Sequence, residues 1–144
     1  LSAFSSIVDR LLIVGALNQA GGTDFPATIA WYSNTAGDDA TVQSRFVVAS
    51  GTTPFGTGDI AFNGVNVDEG IGTSYAAPRA AGYVAIVRSK FPNLNAVKTS
   101  SILLDTATYE TLTCYYTVSG CDKAIYGQGE ISLSRALAPV GTLR

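Results

Sequence analysis

The chain has 144 residues, 47% of them hydrophobic and 14% charged, with nine basic against eleven acidic side chains, a net charge of −2, and no histidine or methionine. Without a concentrated basic face it is not built to bind nucleic acid, and without an imidazole it cannot by itself run a mechanism that uses histidine as general base or metal ligand. Its length fits one domain or a piece of a larger one, and a chain opening Leu1-Ser2-Ala3 in place of Met is expected to have been cut from a longer product.

No charged leader followed by an apolar stretch opens the chain, so any signal peptide is expected to be gone already. Leu11 to Leu17 is a continuous apolar run ending in a Gly-rich turn at Gly21-Gly22. Such a run suits a strand buried on both faces of a parallel sheet. Thr28 to Tyr32 and Arg45 to Ala49 have the same character. Asp59 to Val67, with Asn63-Gly64 at its middle, reads as a small hairpin. Asp68-Glu69 could be paired carboxylates, but neighbouring residues on a strand point to opposite faces, and a solvated turn is the better reading.

From Ser74 to about Lys90 the sequence is helical, and Ala80 to Val87 is apolar on every side. A helix of that kind must be surrounded by protein. Pro78 is expected in its first turn, which places the helix start at Thr73 or Ser74. A second, amphipathic helix is expected from about Asn95 to Ala107, with Val97, Ile102, Leu103 and Leu104 on its apolar side, and a third from Ser132 to Ala138. The pattern predicts a three-layer α/β architecture without an internal domain boundary. The strands on offer are too few to cover the apolar helix, so part of the sheet is expected upstream of Leu1. The apolar runs are far shorter than the roughly 18 residues of a membrane span.

Cys114 and Cys121 are spaced to close a small loop as a disulfide, with two unpaired thiols as the alternative. A bridge would fit an oxidising compartment. Tyr115-Tyr116 between them reads as an exposed aromatic loop. No acidic cluster has the spacing of a calcium loop, and Gly70-x-Gly72 lacks the lysine of a phosphate-binding loop.

The segment Gly70-Ile71-Gly72-Thr73-Ser74-Tyr75-Ala76-Ala77-Pro78 is the most informative. Its glycines allow a sharp turn and close approach of a ligand, and its hydroxyls fall at a helix start, where free N–H groups favour an oxyanion. That geometry suits a nucleophilic serine. It suits equally a Thr73 or Ser74 that merely caps the helix.

Gly72-Thr73-Ser74-Tyr75-Ala76-Ala77-Pro78, followed by Ala81-Gly82, resembles the active-site motif of the subtilisin-like serine proteases. The likeness extends to Leu12 through Leu17, Tyr32 through Gly37, Val48 through Gly51, and Tyr126 through Ile131. The ending from Arg135 to Gly141 is most similar to the protease passengers of bacterial autotransporters. The resemblance implies the C-terminal portion of one subtilase peptidase domain, with a mostly parallel sheet in a subtilisin-like fold. It implies a serine endopeptidase in which Ser74 is the nucleophile and its own backbone N–H an oxyanion donor, supported by Gly72, Thr73 and Pro78. The catalytic Asp, His and oxyanion Asn would lie upstream, so Asp24, Asp38 and Asp39 are not expected to serve. The expected partners are that N-terminal portion and a peptide or protein substrate, with no cofactor indicated; some relatives bind calcium. Leu1 to Val8 are expected to belong to a substrate-pocket wall; a Ser–Lys pair using Lys90, Lys98 or Lys123 and a catalytically silent binding or structural fragment are the alternatives. The compartment implied is secreted or cell-surface, in a bacterium.

Overall fold

The computed structural model describes residues 7–61 and 64–138, with only the backbone for 54–61 and 64–69. Leu1 to Ser6 of the expected pocket wall, the Asn63 position of the hairpin turn and the ending from Pro139 lie outside the described residues.

Two strands, β1 (Ile13–Leu17) and β2 (Phe46–Ser50), pair in parallel from Ile13↔Phe46 to Leu17↔Ser50. Glu130 adds a parallel bridge at Val48 on the other edge of β2. Both runs are apolar because the sheet is covered on both sides. Val47 and Ala49 face one cluster with Ala76, Ala80, Leu103 and Ile131, while Phe46 and Val48 face the other with Leu17, Leu112 and Tyr126. The first layer is α2 (Thr73–Lys90), α3 (Ala96–Asp105) and α5 (Leu133–Leu137); the second holds α1 (Ala40–Arg45) and α4 (Lys123–Tyr126). This is the three-layer arrangement expected.

Several elements differ from their sequence reading. Thr28 to Tyr32 forms only isolated bridges, Leu17↔Ile29 and the neighbouring Ala27↔Leu112. The Ser33 hydroxyl takes the Ala16 N–H at 2.8 Å, so a side chain occupies the place where a longer ladder would continue. Arg45 ends α1 and does not begin a strand. Its buried guanidinium donates to the carbonyls of Leu11 and Asp9, tying the chain before β1 to the start of β2. The hairpin is longer than expected: β3 (Thr52–Ala61) pairs antiparallel with β4 (Gly64–Ile71), and Asp68 and Glu69 lie in β4 and not in a turn.

Helix α2 begins at Thr73, as expected, but Pro78 is its sixth residue and sits in the second turn. Its missing N–H leaves the Ser74 carbonyl without a helical partner. The helix is covered on one face only. Ala76, Ala80 and Val87 are buried, whereas Ala77, Ala81, Gly82, Ala85 and Ile86 are exposed. The expectation of an apolar helix enclosed on every side is therefore not met within this chain, which supplies protein against one face. Beside the open face a groove of about 340 Å³ runs between β1, α2 and α3, lined by Leu12, Val14, Ala80 and Val84 among others. Helix α3 matches its expectation, with Asn95 accepting the Lys98 N–H at 2.9 Å as N-cap.

Candidate active site

Ser74 is exposed at the second position of α2, on the positive end of the helix dipole. The turn delivering it depends on Gly72, whose φ of +153° belongs to the region glycine tolerates best. A Cβ at Gly72 would stand 3.7 Å from the Ser74 amide nitrogen and 3.9 Å from its Oγ. Those are ordinary contact distances, so it is the backbone angle and not crowding that calls for glycine here.

Beneath the turn, Gly51 is a crossing point. Its N–H donates to the Leu17 carbonyl at 2.9 Å, and its own carbonyl accepts the Gly72 N–H at 2.9 Å and the Tyr32 hydroxyl at 3.2 Å. A Cβ at Gly51 would lie 2.6 Å from Tyr32 Oη and 2.7 Å from Ala16 Cβ, so no side chain fits. Tyr32 also packs edge-on against Trp31, which is 87% exposed. The end of β1, the Tyr32 segment, the end of β2 and the serine turn are thereby joined within a few ångströms. Tyr32, Ser33 and Gly51 fall in segments that carry the family likeness, but their structural work was not legible from the motifs.

Lys90 ends α2, about 24 Å from Ser74 by helical rise, and donates to the Leu137 carbonyl at 2.6 Å. Lys98 lies exposed on α3 and Lys123 exposed at the start of α4. Asp39 N-caps α1, accepting from Thr41 at 2.7 Å and Val42 at 3.1 Å, and these N–H groups hold its carboxyl below the usual range. Cys114 and Cys121 form a disulfide with Cα atoms 4.8 Å apart, and Tyr115 and Tyr116 between them are exposed. Among the described residues no group of three His, Cys, Asp or Glu could hold a metal ion, and no helix is long and apolar enough to cross a membrane.

Glu130 is the other unusual group. Its Oε1 accepts the Gly21 N–H at 3.2 Å, while Oε2 is buried without a partner. Burial pushes its carboxyl above the usual range, against the opposing pull of Thr111, Gly21 and the Arg79 charge.

The α/β sandwich and the parallel strand pair, with a serine at the start of the central helix, are those of a subtilisin-like fold. The family model described as "Subtilase family" matches residues 5–129, and the chain belongs to that family. It is also similar to the crystal structure of fervidolysin from Fervidobacterium pennivorans, a keratinolytic enzyme related to subtilisin. The TM-score is 0.62 and the identity 28%, over 94% of this chain and 20% of that one. The chain thus spans about a fifth of fervidolysin. No curated protein matches it.

Proposed function

We propose that this chain is the C-terminal portion of a single serine endopeptidase domain, with Ser74 as nucleophile. The observation that carries the reading is the Gly72-Thr73-Ser74 turn, which presents an exposed hydroxyl and a free amide together at the start of α2. Ser74 Oγ attacks the peptide carbonyl carbon, and its proton passes to a base. The oxyanion takes the Ser74 N–H, the amine leaves with a proton from that base, and water hydrolyses the acyl-enzyme. Since the chain contains no histidine, the base must come from a partner portion bearing the catalytic Asp, His and oxyanion Asn. The exposed face of α2 and the groove beside β1 support a contact with it. Loss of the histidine from such a triad costs on the order of 10⁶ in turnover, a figure measured in a subtilisin, so the chain alone is nearly inert. The disulfide supports a secreted or cell-surface location.

A fluorophosphonate probe tests the nucleophile. It should label the assembled protein and fail on Ser74→Ala; labelling that survives the substitution sinks the assignment. The missing histidine favours a second reading, a silent fragment that keeps the fold for binding. A denaturing gel with intact masses separates the two: a co-purifying polypeptide that contains the missing histidine supports the peptidase, and a lone 14.9 kDa species that the probe does not label supports the fragment.

A further inference from the structure

Arg79 occupies an awkward place. It lies in the second turn of α2, five residues beyond Ser74. Its Nε is buried with no hydrogen-bond partner, a state that ordinarily costs free energy. It makes no ion pair among the described residues, where Arg135–Glu110 is the pair present. Among the described residues its guanidinium makes one hydrogen bond: Nη2 donates to the Thr52 carbonyl at 3.1 Å.

Thr52 follows Gly51 at the corner between β2 and β3. That corner is already fixed to the serine turn by Gly72 N–H to Gly51 O at 2.9 Å. The two contacts close a ring: from Ser74 back through Gly72 to Gly51, on to Thr52, across to Arg79, and along the helix to Ser74 again. One hydrogen bond holds the chain just before the serine, the other holds the helix just after it. Both contacts tie the first turns of α2 to the sheet corner. The Ser50 hydroxyl, 3.3 Å from the same Thr52 carbonyl, adds to the hold on that corner.

We propose that Arg79 is a positioning residue, whose guanidinium locks the first turns of α2 to the β2–β3 corner and so fixes the direction of the Ser74 hydroxyl and amide. The inference rests on the reading of Ser74 as nucleophile. Its physical basis is that small misplacement of a reacting group costs much rate. A planar guanidinium holds a carbonyl with its orientation fixed, whereas a lysine offers a donor on a flexible stem.

The test uses the assembled peptidase, with fluorophosphonate labelling rate per folded molecule, kcat and KM as readouts. Arg79→Gln should lower both the labelling rate and kcat about tenfold or more, with KM changed less than about twofold. Arg79→Lys should fall between it and the wild type. Arg135→Gln, which removes the same charge from the surface, should leave the rates unchanged. A wild-type labelling rate in Arg79→Gln overturns the proposal, even if that variant melts at a lower temperature. So does an Arg79→Lys equal to either the wild type or Arg79→Gln. Should Arg79→Gln not fold, Arg79→Lys decides alone: kcat reduced at constant KM supports the proposal, and wild-type kcat overturns it. Ser74→Ala runs in parallel. Labelling that persists there defeats the nucleophile assignment, whereas labelling lost there but untouched in Arg79→Gln defeats only the role of Arg79.

Discussion

Replacing Glu130 by Gln should stabilise the protein at neutral pH and flatten part of its stability profile. The carboxylate uses Oε1 to hold the Gly21 N–H, but Oε2 is buried and unpartnered. The Thr111 hydroxyl is likewise buried without a partner, and its pull on the Glu130 carboxyl opposes that of burial. A glutamine keeps the acceptor for Gly21 and supplies an amide N–H where the second oxygen stood. An unsatisfied buried polar group costs about 1–3 kcal/mol. The charge-assisted bond to Gly21 weakens at the same time, leaving a gain of about 1 kcal/mol, or roughly 3 °C in Tm.

The sign with pH follows from burial, which raises the Glu130 carboxyl in the folded state. The native form then binds the proton more tightly than the unfolded chain. Stability contributed by this group is full below the unfolded value and is lost as pH rises through the folded one. Thermal unfolding of wild type and Glu130→Gln from acid to neutral pH should give curves that converge at the acid end and separate, with the variant above, towards pH 7. A variant less stable at pH 7, or a gap widening towards acid, would refute the reasoning.

Four further outcomes follow from packing and covalent structure. Leu103→Ala, at a fully buried position against α2, should cost about 3 kcal/mol in denaturant unfolding. Gly127→Ala should cost at least about 2 kcal/mol, because φ is +57° and the added Cβ would lie 2.3 Å from the Phe46 carbonyl oxygen; a wild-type midpoint would contradict that geometry. Asn95→Ala, which removes the N-cap of α3, should cost about 1 kcal/mol, with Asn95→Asp close to wild type. Replacing both Cys114 and Cys121 by Ser opens a loop of sequence separation 7 and should cost about 2 kcal/mol by loop entropy, readable as a shift in urea midpoint.

How much of this was legible in the sequence depended on whether the signal was local. The strand at Leu11–Leu17, the start of α2 and the extent of α3 were readable because apolar periodicity and capping residues act within a few positions. The serine turn was readable because a glycine, a hydroxyl and a small-residue helix start are adjacent. What failed was long-range. Arg45 looked like the first residue of an apolar strand, yet its guanidinium reaches carbonyls some 35 positions away in the chain. Thr28 to Tyr32 had strand-like residues, but the Ser33 hydroxyl and the bridges to Leu17 and Leu112 decided its form.

The candidate site divides along the same line. Its chemical group is a local feature and could be named from seven consecutive residues, whereas its support is a ring of contacts among Gly51, Thr52, Gly72 and Arg79 that no window of sequence contains. The apolar surface of α2 marks the boundary between the two kinds of information. Composition alone states that the helix should be covered, and only the packing identifies which face this chain covers and which it leaves open. A residue such as Ala81 is thus consistent with a buried core in sequence and exposed in the chain as folded. That pattern is expected where the cover is supplied from another part of the protein.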